Sequence, residues 1–368
     1  GTNTTGAENL ASGTLSLAAN TTGSNNVGLG YDALRANTTA SNNTAVGFRS
    51  LSANTTGTSN VAMGFQALQN NVSDSDTIGI GVNAGRNATS SFSTIIGSQA
   101  NAVGVMTGDS NTYVGYVSGY QNTSGANNTG IGKSALTANT TGANNVALGT
   151  EALYSNTTAG GKVAIGYQAG YSGTGADAGS IYIGKEAGKL ATEPNDFIGF
   201  GSGQANTVGF HNTMFGYQSF IANTTGDKNT GIGREVLKAA TTANNNTAVG
   251  KNAGLAVTTG SSNTFMGYLA GLNVTTGGTN VAIGYDAGHT LTTGSYNCYI
   301  GGESVGASAS DRQYEIVIGT TNTSLVGKGN STGFFAPGAT GNVYNGANST
   351  TWAQISDARI KKNIEDNT

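Results

Sequence analysis

The chain has 368 residues, a formal net charge of −3 and only 10% charged residues. With no basic block it lacks the electrostatic footprint of a nucleic-acid or anionic-membrane partner, and no segment has the unbroken apolar length of a membrane span. Its single cysteine, Cys298, excludes an intrachain disulfide framework.

Fifty-nine glycines and two prolines would suit a low-complexity coil by composition alone. Order along the chain overturns that reading. From Gly6 to Thr320 the sequence is a run of copies of one unit, typified by Asn42 to Gly57, which register on a glycine. That glycine recurs 19 times, from Gly13, Gly30 and Gly47 to Gly284, Gly301 and Gly319, and 13 of the 18 intervals are 17 residues. A fixed short period marks a solenoid, whose units bury apolar surface by stacking on their neighbours.

Numbering each copy from its key glycine as 0, position −1 is large and apolar in 18 of 19 copies, and −3 is Val, Ile or Thr in 16. Position +1 is aromatic in nine, among them Tyr31, Phe48, Tyr116 and Tyr285. Alternation at −3, −1 and +1 predicts a strand with that face buried. The opposite face, often Ala or Gly at −2 and Gly at 0, is left for close approach by another chain or coil. Position +3 is Ala or Ser in 17 of 19 copies, and +3 and +4 predict a bend and a second short strand. Each copy closes through Asn-Thr-Thr-Gly or a variant, where Asn and Gly suit positive φ. Asn at −4, as in Asn26, Asn43, Asn60, Asn128 and Asn263, predicts a stacked amide ladder.

The expected fold is therefore all-β: a parallel β-solenoid or β-roll of 19 coils over residues 1–320. At about 4.8 Å per coil it would be a rod roughly 90 Å long. So thin an interior buries little, which points to self-association through the Gly/Ala face. Two stretches, between Gly64 and Gly115 and between Gly166 and Gly216, carry irregular connectors. Residues 321–355 read as a short irregular β neck or tip. Its aromatics Phe334, Phe335, Tyr344 and Trp352 are the candidate receptor contacts, with a cell-surface glycan or other host receptor as partner.

The Asn43-Thr-Ala-Val-Gly-Phe48 and Asn280-Val-Ala-Ile-Gly-Tyr285 cores resemble the head repeats of trimeric autotransporter adhesins. They are still more similar to repeats in tail fibres of phages and phage-derived loci. The resemblance implies a β-roll, three of which pack around an axis as an intertwined homotrimeric rod. Further on, Ser356-Asp-Ala-Arg-Ile-Lys361 resembles the opening of the self-cleaving intramolecular chaperone domain of endosialidases and other phage tail spikes. That resemblance implies Ser356 as nucleophile, Lys361 as its base, and cleavage beside Ser356. A lysine of depressed pKa can deprotonate a hydroxyl without histidine. Residues 356–368 match only the start of that domain, so cleavage is expected of a longer precursor. The opening at Gly1, in mid-pattern, also suggests a piece of something longer.

No cofactor is implied and no metal site: His211 and His289 lie far apart, and no His/Cys/Asp cluster has ligand spacing. Gly28-Leu-Gly30 lacks the helix that a phosphate loop needs. Asp177, Glu186 and Glu193 are the only local concentration of acids for glycoside chemistry. The expected function is a structural and host-adhesion fibre on a virion tail or cell surface. The alternatives are a bacterial surface adhesin or filament subunit, a polysaccharide-degrading spike, and an ice-binding Thr array.

Overall fold

A computed structural model describes residues 3–174, 179–302, 305–307, 309–319, 325–336, 342–345 and 353–355. The chain divides into two compact units, residues 1–194 and 195–368, each a parallel β-solenoid. No helix occurs among the described residues. In the first unit every copy contributes one three-residue strand, from Leu10–Ser12 to Ile181–Ile183. Neighbours pair in parallel with a 17-residue offset: Val27 lies beside Thr44, and Thr44 beside Val61. The second unit repeats this from Asn195–Ile198 to Cys298–Ile300 and Ile316–Gly319. The expectation of an all-β solenoid with one coil per copy is met.

Parallel stacking runs one rung further than the glycine pattern. Gly333–Ala336 pairs with Ile316–Gly319, so Ala336 takes the place of a key glycine. Only then does the chain turn antiparallel, through Asn342–Asn345 and Ala353–Ile355.

The strand faces are the reverse of those expected. Positions −4 and −2 point inward; −3, −1 and +1 point outward. Ala45, Ala62 and Ala147 are fully buried, whereas Met63 is 42% and Leu148 44% exposed. The reason is the width of the coil. Leu34, Leu51 and Leu68 at +4 fill the interior, so the inward strand position opposite them takes Ala or Gly. Beside the aromatic −2 residues Tyr113, Phe197 and Phe265 the +4 residue is Gly, whereas Met214 is accommodated with Phe220 at +4. Phe265 lies between Gly254 and Gly271: a Cβ at Gly254 would sit 2.9 Å from its ring, and one at Gly271 closer still. Tyr182 stands in the same relation to Gly170, whose Cβ would lie 2.6 Å from its ring.

After the key glycine the backbone forms turns rather than the expected second strand. Left-handed φ recurs at +2 and +4, as in Arg49 (54°) and Leu51 (51°), and just before the −4 residue, as in Asn42 (64°). It does not fall on the Asn of Asn-Thr-Thr-Gly. Alternate residues bond to opposite neighbours: Arg49 N–H donates to Tyr31 O at 2.9 Å, and Leu51 N–H to Ala67 O at 3.0 Å. Where the key glycine takes a positive φ, any side chain would be strained and would meet the next coil. At Gly30 φ is +135°, and a Cβ would lie 2.6 Å from the carbonyl oxygen of Gly47.

Candidate interaction surfaces

The interior is closed by amides. Asn26, Asn43, Asn60, Asn128 and Asn263 are all buried and form the ladder expected at −4. Each Oδ1 accepts the backbone N–H of the next ladder residue, Asn43 to Asn26 at 3.0 Å and Asn60 to Asn43 at 3.0 Å. In many coils it also accepts the next Nδ2, as Asn128 does from Asn145 at 3.1 Å and Asn246 from Asn263 at 3.0 Å. A second ladder, from the Asn of Asn-Thr-Thr-Gly, runs beside it: Asn37 Nδ2 donates to Asn20 Oδ1 at 2.8 Å, and Asn54 to Asn37 at 3.1 Å. The two ladders converge on one carbonyl per coil. Gly142 O accepts from Asn128 Nδ2 at 2.8 Å and Asn139 Nδ2 at 3.0 Å, filling both its lone pairs. The signal for this second ladder, Asn20, Asn37 and Asn54 at the same spacing, lies in the sequence.

Outside, the strands leave an apolar face. Along −1 it carries Met63, Ile131 and Leu148 in the first unit and Phe215, Ile232 and Met266 in the second, each exposed. The −1 column holds no charge in any copy. Beside it the +1 aromatics stack. Tyr31 meets Phe48 at 5.3 Å, and Phe48 meets Phe65 at 5.2 Å, nearly parallel. Stacked rings cover one another's faces and turn their edges outward, so the row is a poor platform for sugar rings. At several basic +1 or +2 positions the charge lies over an aromatic ring, as with Arg49 on Phe48 and Arg234 on Tyr217, both at 5.2 Å.

The threonine turns offer little as an array. The first Thr of each pair donates its hydroxyl to the next coil, as in Thr224 Oγ1 to Thr241 O at 3.1 Å. Only the second, such as Thr225, remains exposed.

Among the described residues, no group of three His, Cys, Asp or Glu could hold a metal ion, and no helix is long and apolar enough to cross a membrane. Asp177 lies outside the described residues, Glu186 meets Lys189 at 3.6 Å, and Glu193 offers its backbone carbonyl to Tyr182 at 3.4 Å. Elsewhere in the irregular connectors, burial and then the nearby Asp109 push the Asp74 carboxyl up.

At the far end, Phe334 occupies the inward −2 position of the extra rung and is buried, with Lys328 5.0 Å above its ring. Its side chain is covered rather than exposed. Phe335 points outward and is half-buried. Tyr344 sits in the antiparallel strand Asn342–Asn345, but its side chain lies outside the described residues, as do Trp352, Ser356 and Lys361. In the preceding coils Glu315 replaces a ladder Asn. Its carboxylate accepts from Tyr299 Oη at 3.0 Å and Gly329 N–H at 2.9 Å. Burial and then the Glu315 charge push the Tyr299 phenol well above its usual range. Cys298 occupies a −3 position and is half-buried, and burial pushes its thiol up.

Comparison with known protein families, curated proteins and solved structures gives no match.

Proposed function

We propose that the chain is a structural and adhesive fibre segment: the shaft or receptor-binding part of a trimeric, phage-type tail fibre. The observation that carries this reading is the allocation of side chains. The coils close their interior with a hydrogen-bonded Asn ladder around a thin apolar filling, and leave the Val, Ile, Leu and Met of the −1 column on the outer strand face. That arrangement builds long stacks with an adhesive side. The Ser356-Asp-Ala-Arg-Ile-Lys361 resemblance adds a maturation route, in which a longer precursor assembles as three chains and is cut beside Ser356. Lys361 would take the Ser356 proton.

Expression from the complete gene, followed by native mass spectrometry, tests this reading. Three copies, each ending beside Ser356, are expected, and Ser356→Ala should leave the precursor uncut. A chain that stays single, or is uncut with Ser356 intact, would sink it. A receptor role at the tip then predicts that Phe335→Ala lowers attachment to host cells with assembly unchanged.

A further inference from the structure

We propose that the outward strand face, at positions −3, −1 and +1, is the surface on which copies of this chain pack, in parallel and in register. This rests on the fibre reading and locates its contact. The Gly/Ala column assigned that role from the sequence is inside the coil.

Area argues first. In the first unit Tyr31, Phe48, Phe65, Tyr116 and Tyr167 are each roughly half exposed. Aromatic side chains present about 150–250 Å², so these five alone expose on the order of 300–600 Å². The ten apolar −1 residues of this unit roughly double it. Lone soluble proteins rarely leave contiguous apolar patches above a few hundred Å². A stable interface takes about 800 Å² from each partner.

Period argues next. The face repeats in every coil, at about the 4.8 Å spacing of paired strands. A second copy carries the same period, so a contact made in one coil recurs in the next. A partner without that period would fit only locally. Parallel register also sets like columns at the same level, uncharged −1 against uncharged −1. In the second unit Arg234 and Lys251 stand at the +1 border over Tyr217 and Tyr268, at 5.2 and 5.6 Å. There they remain at the rim, in water. Backbone groups of the strands are already bonded coil to coil, so the contact is made by side chains rather than by edge pairing.

The chain's four methionines provide the test. Met63 and Met266, one in each unit, sit in the −1 column at 42% and 43% exposure, while Met106 and Met214 are fully buried. Native wild-type protein is sized and treated with dilute peroxide, and sulfoxide is read by peptide mass spectrometry. The expected result is a multimer in which all four methionines resist oxidation. A double substitution, Ile131→Lys with Leu148→Lys, should lower the mass to a single chain and make Met63 reactive. Both sites are exposed in one chain, so a lysine can keep its ammonium in water, and an unchanged far-UV spectrum checks the fold. If that variant does not fold, the wild-type footprint decides alone.

A single-chain wild type, or a multimer whose Met63 and Met266 oxidise freely, overturns the proposal. So does a folded double-lysine variant that keeps the wild-type mass and protection. Three copies with reactive methionines would reject this face and leave the fibre reading standing. Two copies with protected methionines would support the face and reject the trimer.

Discussion

At Leu51 opposing terms of similar size meet. Its φ of 51° lies in the left-handed region, which costs an L-residue about 1–2 kcal/mol. Its complete burial contributes about 1.5–3 kcal/mol. Burial wins narrowly, so the position accepts Leu where the strand opposite is small, and it is Gly beside the rings of Tyr113, Phe197 and Phe265. Phe265 and Gly271 make this coupling measurable. Phe265→Ala should cost about 3–5 kcal/mol by opening a cavity, and Gly271→Leu about 1–3 kcal/mol by overpacking. Together they recreate the Ala45–Leu51 arrangement, so denaturant titration should show the double variant more stable than the sum of the two, by about 0.5–3 kcal/mol. Strict additivity would refute the packing rule. The ladder makes a second demand on single residues. Asn128→Ala removes the acceptor of Asn145 N–H (3.0 Å) and one of two donors to Gly142 O. A loss of about 1–3 kcal/mol is expected from the buried group left unpaired. Asn128→Thr should soften that loss, because Thr77 already serves in the ladder, its hydroxyl donating to Ser90 O at 2.8 Å. Equal losses for the two variants would argue against the ladder as a stabilising element.

The strand is the element whose reading divides cleanly into what could be foreseen and what could not. Period, strand position and the −4 ladder are all visible in the spacing of glycine and Asn. The buried face is not visible in hydropathy, because a 17-residue coil already filled by Leu at +4 has room only for Ala or Gly beside it. Parity held the answer. In a strand −4 and −2 share a side, so placing the Asn ladder inside commits −3 and −1 to the outside. The burial of Phe334 was hidden for a related reason, since Ala336 in place of glycine concealed the rung that covers it. Two of the buried strand phenols have a consequence at high pH. Tyr113 and Tyr299 are held neutral by burial, and Tyr299 also by Glu315. Below the ordinary tyrosine pKa of about 10 this has no effect. Above it the unfolded chain loses protons that the folded chain keeps, so stability falls by about 1.4 kcal/mol per pH unit for each tyrosine. Tyr113→Phe, which gives up a 3.4 Å hydrogen bond to Asn111, should make the alkaline fall shallower in urea titrations between pH 9 and about 12. An unchanged slope would mean that the phenol ionises in place.

At the scale of the whole chain, the ladders constrain where the protein can fold. Asn-Thr-Thr sequons at Asn20, Asn37, Asn54, Asn139, Asn156 and Asn223 follow from the turn consensus, and the sequence alone leaves them open to glycosylation. The fold closes them. All six are buried, and both Nδ2 hydrogens of Asn37, for example, are committed, to Asn20 Oδ1 at 2.8 Å and Ala40 O at 3.0 Å. A glycan replaces one of those hydrogens and has no room beside the next coil. The Asn-Asn-Thr sequons at Asn42, Asn127 and Asn245 differ, because their first Asn is exposed. A chain glycosylated during synthesis, before its coils close, would therefore be blocked at the ladder positions and merely decorated at the exposed ones. Expression through a eukaryotic secretory pathway should give retained or aggregated protein, and inhibiting Asn-linked glycosylation should restore soluble protein with the β-solenoid spectrum of cytoplasmically made chain. Secreted, folded protein bearing glycans at Asn139 or Asn156 would overturn the ladder geometry itself.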